Sequence, residues 1–300
     1  MENFKSGFVS LVGRTNVGKS TLLNALVKEK VAITANKTQT TRTAIKAILN
    51  DEKYQIIITD TPGIHKPKTK LGETMINTAF TMFAEVDAIL FLIEATSKEI
   101  GRGDRIILEK IKKSGKPCIL LINKMDLVKK ETLLNLIQLY SNEYEFEAVI
   151  PVSALKDDGT EKIIEEILKL LPNGPKYYEE DEYTDQTLRQ MVEETIREKA
   201  LKLLQEEVPH GIYVEVEKFK DRKTTKGEDI YDIEATIYCL RESHKGIIIG
   251  KNGSLLKKIA TFARQDTEKM LQTKVNLKIW VKVQENWQEK DNIVNKFKLK

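Results

Sequence analysis

An eight-residue loop at 13–20 constrains the fold of this sequence more than any other feature. It has the form G-x-x-x-x-G-K-S, with an apolar run at 8–12 before it and a helix-like stretch at 21–26 after it. A phosphate-binding loop requires this strand–loop–helix context, because glycines let the backbone wrap an anion and the helix N-terminus adds partial positive charge. The pattern predicts a phosphate site at the carboxyl end of a strand in a doubly wound α/β sheet. The expected nucleotide contacts are Gly13, Arg14, Thr15, Asn16, Val17, Gly18, Lys19, Ser20 and Thr21.

Side chains in this loop and beyond it suit a nucleotide bound with Mg²⁺. Lys19 has the length and charge to reach the β- and γ-phosphates, and the Ser20 hydroxyl can bind the metal ion. Asp60 ends the apolar strand predicted at 55–59 and would hold Mg²⁺ through a water molecule. Further nucleotide contacts are expected in the same turn, at Asp60, Thr61, Pro62 and Gly63.

A threonine-rich segment at 37–42 is the expected nucleotide-state switch. Thr41, directly before Arg42, would bind Mg²⁺ only when the γ-phosphate is present, and the Gly63 N–H would contact that phosphate. Such a segment orders and releases with the nucleotide state. Three other threonines lie nearby, so the alternative that Thr41 is an ordinary loop residue stays open.

Two later loops indicate which base is bound. Asn123, Lys124 and Asp126 follow the apolar strand predicted at 118–122. A carboxylate at position 126 can accept hydrogen bonds from guanine N1–H and the 2-amino group, whereas adenine would leave a buried Asp126 unpaired at about 1–3 kcal/mol. Ser153 and Ala154 follow another apolar strand, and a backbone N–H there can donate to guanine O6. The order and spacing of these loops predict a guanine site.

Composition bounds the class of protein. The chain has 300 residues, 41% of them hydrophobic and 31% charged, which is typical of a globular protein with two domains. It has two cysteines, Cys118 and Cys239, which fall in different predicted domains, so we expect no disulfide and a reducing cytoplasm. The three histidines lack metal-ligand spacing, and no apolar stretch reaches 18 residues, so no membrane span is expected.

The order of elements predicts a nucleotide-binding domain at 1–172, a linker at 173–184 and a second domain at 185–300. Proline, glycine and a run of acidic residues mark the linker. The predicted strands of the first domain lie at 8–12, 44–49, 55–59, 87–94, 118–122 and 148–152. The predicted helices include 71–84, 104–114, 131–144 and 160–171.

The second domain has a different pattern: helix, two strands, helix, strand and a C-terminal helix. A G-x-x-G turn at 250–253 begins the helix predicted at 254–271, and the window 241–282 holds ten basic and three acidic residues. A KH domain uses such a glycine turn at the start of a helix to clamp about four nucleotides. An ordinary tight turn is the alternative for a lone G-x-x-G. The predicted α+β order is that of a type II KH domain, with RNA contacts at Ile249, Gly250, Lys251, Asn252, Gly253 and Lys257.

The five nucleotide blocks resemble those of the translation-factor class of GTPases. The sequences Thr40-Thr41-Arg42 and Asp60-Thr61-Pro62-Gly63-Ile64 are similar to the branch that contains Era, the tRNA-modifying GTPases and the tandem ribosome-assembly GTPases. A single KH domain after such a GTPase domain resembles the Era family over nearly the whole chain. The resemblance implies hydrolysis of GTP to GDP, binding to the 3′ end of 16S ribosomal RNA, a role in 30S subunit maturation, and some peripheral association with the inner face of the cell membrane.

The same resemblance bears on the rate of hydrolysis. Ras-like enzymes carry a water-orienting Gln where this chain has Ile64, so we expect slow intrinsic hydrolysis. Potassium-dependent members of the branch have Asn at the position of Asn16, whose side chain could hold K⁺ with the loop at 38–41; the alternative is that Asn16 only hydrogen-bonds its own loop. Arg42 is expected to be a solvated loop residue rather than a catalytic one.

A second functional class stays open. A GTPase of the same branch could act in tRNA modification or at a membrane, with the basic C-terminal domain binding acidic lipid.

Overall fold

The computed structural model describes residues 4–35, 37, 40–63, 69–225 and 227–297. Contacts group the chain into two compact units. The first takes the described parts of 1–32, 41–185 and 295–300, and the second takes those of 33–40 and 186–294. The predicted boundaries at 172 and 185 stay a prediction.

The first unit is built on a six-stranded sheet in the order β2-β3-β1-β4-β5-β6. All neighbouring pairs are parallel except β2 and β3, which are antiparallel. The predicted α/β fold is therefore confirmed, with an antiparallel strand at one edge. The strands are β1 (Lys5–Gly13), β2 (Ile45–Asn50), β3 (Tyr54–Asp60), β4 (Ala88–Glu94), β5 (Cys118–Asn123) and β6 (Ala148–Pro151). The helices are α1 (Lys19–Val27), α2 (Lys70–Thr81), α3 (Arg102–Ser114), α4 (Lys130–Ser141) and α5 (Thr160–Leu170).

Apolar side chains on both faces of the central strands explain this arrangement. In β4, six of the seven residues are buried, and alternate ones enter two separate cores. Helices must therefore cover both faces of the sheet. Because parallel strands point the same way, the carboxyl ends of β1, β3, β4, β5 and β6 meet at one edge, and the loops with the predicted site residues follow them.

The predicted linker lies against the first unit rather than apart from it. Gln55 of β3 is fully buried, and its Oε1 accepts hydrogen bonds from the N–H groups of Tyr177 at 2.6 Å and Tyr178 at 3.0 Å. Its Nε2 donates to the Tyr178 carbonyl at 2.9 Å and to Asn50 Oδ1 at 2.6 Å. Asn50 Nδ2 in turn donates to the carbonyls of Glu179, Glu180 and Glu182. Two side chains thus satisfy much of the backbone of this acidic segment.

Replacing Gln55 by Leu is expected to destabilise the protein by about 2–3 kcal/mol, since it removes three part-buried hydrogen bonds to the backbone at 177–178. Urea denaturation measures the change. Lys176→Ala, which removes an exposed ion pair with Glu180, is the control and should change the free energy of unfolding by less than about 0.5 kcal/mol. Equal stabilities for the Gln55→Leu variant and the unmodified chain would contradict the assignment.

The second unit is an α+β domain with a three-stranded sheet in the order β7-β8-β9. β7 and β8 are antiparallel, whereas β8 and β9 are parallel. Its buried core is lined by α6, by the strands and by α8. The elements are α6 (Leu188–Leu203), β7 (Tyr213–Lys223), β8 (Asp229–Cys239), α7 (Glu242–Ile249), α8 (Ser254–Leu271), β9 (Lys274–Val283) and α9 (Asp291–Val294). The predicted KH-type fold is confirmed.

Three details differ from the sequence prediction. A helix, α7, precedes the G-x-x-G turn, although the sequence predicts no helix there. The prediction misses it because the isoleucines at 247–249 favour strands locally. Of these three residues only Ile248 is fully buried. β7 extends past 216 to 223, with a bulge between Val216 and Lys218. The C-terminal α-helix has only four residues.

Candidate functional site

The loop at 13–20 adopts the conformation that anion binding needs. Asn16 and Gly18 have left-handed backbones, with φ of 65° and 101°. Lys19 is 6% exposed, and its Nζ donates to the carbonyls of Gly13 at 3.3 Å and Arg14 at 3.1 Å. Burial lowers the pKa of Lys19, and the nearby Asp60 charge opposes that shift. The ammonium therefore lies across the loop, where a phosphate group would meet it.

Gly63 packs directly on this loop. A Cβ added at Gly63 would lie 2.8 Å from Thr15 Cγ2 and 3.0 Å from Thr15 N. Thr61 fixes the turn before it, since its hydroxyl donates to the Leu11 carbonyl at 2.9 Å. The turn after β3 thus approaches the phosphate loop through a glycine, as a γ-phosphate contact requires. Ile64 and residues 65–68 lie outside the described residues.

Three oxygen-bearing side chains from different elements meet beside the loop. Ser20 Oγ donates to Asp60 Oδ2 at 2.8 Å, Thr41 Oγ1 donates to the same atom at 3.1 Å, and the two hydroxyls are 2.9 Å apart. Burial raises the pKa of the fully buried Asp60, while Lys19 and the two hydroxyls oppose the shift. Its Oδ1 is buried and accepts no hydrogen bond from the part of the chain that the structure describes. Hard oxygen donors around a buried carboxylate that has one oxygen without a described hydrogen bond fit Mg²⁺.

The loops after β5 and β6 are bonded to the phosphate loop and to each other. Asn123 Nδ2 donates to the Val17 carbonyl at 2.8 Å, and the Ala154 N–H donates to Asn123 Oδ1 at 3.0 Å. Lys124 Nζ donates to the Asn16 carbonyl at 3.0 Å and to Glu94 at 2.6 Å. The Ala154 N–H, one of the backbone donors considered for guanine O6, is thus bonded to Asn123.

Asp126, the predicted base-reading residue, is oriented by a hydrogen bond from Ser153 that the sequence pattern did not predict. The Ser153 hydroxyl donates to Asp126 Oδ1 at 2.7 Å and lowers the pKa of that carboxyl. The carboxylate is therefore ionised and oriented at neutral pH. The Asp126 side chain is 14% exposed, so a bound base would complete the burial that discriminates against adenine.

The boundary between the two units falls within the predicted switch segment, between positions 40 and 41. In the first unit, Arg42 is 2% exposed, so its prediction as a solvated residue is wrong. The inward turn of Thr41 toward Asp60 takes the next residue into the interior. In the second unit, Glu198 of α6 is fully buried and accepts a hydrogen bond from the Thr34 N–H at 3.1 Å, and Arg197 donates to the Thr40 carbonyl. Sequence gave no signal for these partners, because more than 150 residues separate them from the segment. Positions 36, 38 and 39 lie outside the described residues.

The G-x-x-G turn joins α7 to α8. Gly250, Asn252 and Gly253 all have left-handed φ, at 72°, 52° and 74°. A Cβ at Gly250 would lie 2.8 Å from Leu255 Cβ, whereas a Cβ at Gly253 would meet no described atom within 4 Å. Lys251 and Asn252 are exposed, as is Lys257 on α8, while Ile249 is half-buried. An open backbone at a helix N-terminus, with lysines beside it, suits a nucleic-acid phosphate.

Comparisons with known proteins agree with both predicted domain types. The profile of a family described as 50S ribosome-binding GTPase matches residues 8–124, and the KH domain profile matches residues 207–288. GTPase Era of Thermoanaerobacter sp. (strain X514) is 52% identical over 292 residues, covering 97% of this chain and 95% of the relative. GTPase Era of Clostridioides difficile (strain 630) is 51% identical over 295 residues, covering 98% of each. The chain belongs to the Era family of GTPases.

Solved Era structures share the whole fold. A crystal structure of Era in complex with MgGDPNP and nucleotides 1506–1542 of 16S ribosomal RNA has a TM-score of 0.93 and 39% identity, with 98% of each chain covered. Aquifex aeolicus Era bound to GDP.AlF4⁻ has the same TM-score and identity, with 98% of this chain and 99% of that chain covered. The resemblance to the Era family, a GTPase domain followed by a KH domain, is confirmed.

Two further observations complete the description of this Era family member. Cys118 and Cys239 are buried free thiols. Among the described residues, no helix is both long enough and apolar enough to cross a membrane.

Replacing Asp126 by Asn is expected to shift preference from GTP to xanthosine triphosphate, because the amide can donate to the 2-oxygen of xanthine. Competition binding with both nucleotides measures the change. Ser153→Ala should weaken GTP binding without changing base preference, since it removes only the hydroxyl that orients Asp126. An unchanged preference for GTP in Asp126→Asn would remove this carboxylate from the base site.

Proposed function

We propose that this chain is a GTP-driven switch that binds the 3′ end of 16S ribosomal RNA through its KH domain and assists assembly of the 30S ribosomal subunit. The convergence of Ser20, Thr41 and Asp60 on one point beside the phosphate loop carries the proposal for the nucleotide site. The Era complex with GDPNP and nucleotides 1506–1542 supports the RNA partner. GTP and GDP are the proposed ligands of the site.

Different residues of the first unit would bind the metal ion and the phosphates. Ser20 and Thr41 would bind Mg²⁺ directly and Asp60 through water, and the ion would neutralise charge on the β- and γ-phosphates. Lys19 would contact the same phosphates, and the Gly63 N–H would donate to the γ-phosphate. Loss of that phosphate would free the Gly63 N–H and remove the contact of Thr41 with Mg²⁺. The switch thus consists of hydroxyl and N–H groups whose partner disappears on hydrolysis.

Slow intrinsic hydrolysis is part of the proposal. Ile64 follows Gly63 where a water-orienting Gln would otherwise stand, and an apolar side chain has no group that can align the attacking water. The chemistry would then depend on electrostatic stabilisation of the transferring phosphoryl group.

The turn at 250–253 is the proposed RNA clamp. Its open backbone faces solvent beside Lys251, and Lys257 lies on the following helix. Phosphates that approach the N-terminus of α8 meet both the helix dipole and these two charges.

Gly253→Asp and Gly250→Asp are each expected to abolish binding of a single-stranded RNA with the sequence of the 16S 3′ end, because a carboxylate would repel the phosphate. GTP hydrolysis should persist. Gly253→Asp is the cleaner variant, since a Cβ there meets no described atom, whereas at Gly250 it would press on Leu255. Fluorescence anisotropy measures RNA affinity, and thermal melting checks the fold.

Lys251→Ala is the matched charge control and should lower the salt dependence of RNA binding by about one unit of slope. RNA affinity that survives both glycine substitutions in folded variants would place the clamp elsewhere.

The surplus of basic residues at 241–282 also favours a second candidate, a GTPase of tRNA modification or of the membrane surface whose KH unit binds acidic lipid. A cytoplasmic location with peripheral association at the inner membrane face is also proposed, the first from the two unpaired cysteines and the second from the resemblance to the Era family. Flotation with vesicles containing anionic lipid, run beside pull-down of ribosomal and transfer RNA, separates the candidates. Binding to vesicles or transfer RNA alone would favour the second.

Potassium is expected to stimulate hydrolysis. Asn16 is exposed at the phosphate loop, where its side-chain oxygen could hold a monovalent cation near the charge that develops in the transition state. GTPase rates in potassium and in sodium at equal ionic strength test this, with Asn16→Ala as the variant. Equal rates in both salts would exclude the cation, while a potassium advantage that persists in Asn16→Ala would exclude only this ligand.

A further inference from the structure

The side chain of Arg14 leaves the phosphate loop and enters the first turn of α3. Its Nε lies 3.0 Å from Asp104 Oδ1 and 2.9 Å from Oδ2, and its Nη2 donates to Ser97 Oγ at 3.1 Å. The Asp104 carboxylate is fully buried, and the Arg14 side chain is 31% exposed. A charged residue of the predicted phosphate site is thus paired with a carboxylate 90 positions away.

Two glycines make room for this arginine. A Cβ at Gly103 would lie 2.9 Å from Arg14 Cδ and 3.1 Å from Cγ, and a Cβ at Gly101 would lie 3.4 Å from Arg14 Nη1. Gly101 has φ of −65°, and Gly103 lies inside α3, so any residue could adopt either backbone. Glycine is a poor helix former, and its presence at 103 is explained by the close approach of Arg14.

The Arg14 guanidinium favours the charged form of this carboxylate. Burial raises the pKa of Asp104, and the Arg14 guanidinium is the first of the groups that oppose the shift. A buried charge that loses its partner is strongly unfavourable, so the pair holds the two elements together. Asp104 also lies in the first turn of α3, where the helix dipole favours an anion.

The main chain of the same arginine reaches the phosphate site. The Arg14 carbonyl accepts a hydrogen bond from Lys19 Nζ at 3.1 Å. Residue 14 therefore links two groups. Its side chain pairs with the buried carboxylate of α3, and its backbone carbonyl accepts a hydrogen bond from the lysine predicted to bind the β- and γ-phosphates.

We propose that Asp104 is a positioning residue for the phosphate loop, which acts through Arg14 to hold the residue 14 carbonyl and Lys19 in place for the β-phosphate. This inference rests on the guanine-nucleotide binding proposed above. Asp104 touches no phosphate itself. Its contribution is specific for ligands with a β-phosphate, because Arg14 and Lys19 are the groups that it orders.

Asp104→Asn in the full chain tests the proposal, because the amide keeps the shape and removes the charge. Affinities for GDP and for GMP, which lacks the β-phosphate, are measured by competition. GDP is expected to bind about tenfold more weakly, with GMP affinity within about twofold of the unmodified chain. An unchanged GDP affinity, or an equal loss for both nucleotides, would overturn the proposal. Absence of GDP binding by the unmodified chain would instead refute the proposed function.

Gly103→Ala gives a second test that leaves both charged residues in the chain. The added methyl group displaces Arg14, and its gain in helix propensity offsets part of the stability lost from the pair, so the variant should stay folded while GDP affinity falls. A purely structural role for the pair predicts no selective loss of GDP affinity in this variant, and that result would overturn the proposal even if Asp104→Asn fails to fold.

Arg105→Ala is the matched control. Arg105 is the next residue of α3, and its exposed pair with Glu143, at 3.3 Å, makes no contact with the phosphate loop. GDP affinity should be unchanged. A double-mutant cycle uses Asp104→Ala, Arg14→Ala and the double variant. If Asp104 acts only through Arg14, the double variant should lose no more GDP affinity than either single variant. Additive losses would overturn the proposal.

Discussion

The nucleotide site depends first on one buried charge, the Asp60 carboxylate at the end of β3. A buried carboxylate is strongly unfavourable unless charge and hydrogen bonds compensate it. Lys19 supplies the charge, and the hydroxyls of Ser20 and Thr41 supply the hydrogen bonds. These groups come from the phosphate loop, α1 and the switch segment. The hydrogen bonds and charge that stabilise Asp60 therefore bring together the elements that a Mg²⁺-bound nucleotide would use.

The phosphate loop is held from outside as well as by its own hydrogen bonds. Asn123 and Lys124 donate to its carbonyls at Val17 and Asn16, and Arg14 extends from it to α3. These partners lie at or after the carboxyl ends of β4, which pairs with β1, and of β5, the next strand of the sheet. The parallel order of the strands is what places base-reading and phosphate-binding residues within hydrogen-bonding distance.

The second unit uses glycine in the same way as the first. Gly250 and Gly253 give the backbone left-handed turns before α8, as Gly18 does before α1. In both units a helix N-terminus then faces the expected anion. The second unit also takes in part of the switch segment, since the Thr40 carbonyl accepts a hydrogen bond from Arg197 of α6.

The sequence by itself determined both fold classes, the six strands of the first sheet and the loops of the site, because hydrophobic periodicity and loop motifs are local patterns. Tertiary structure decided what local patterns do not contain. The isoleucines of α7 form a helix because the domain core buries Ile248, and Arg42 is buried because Thr41 turns toward Asp60. The carboxylate that pairs with Arg14 lies 90 positions away, and the N–H groups that donate to Gln55 lie 122 and 123 positions away. Only the folded chain brings such polar groups together, where burial makes their hydrogen bonds obligatory.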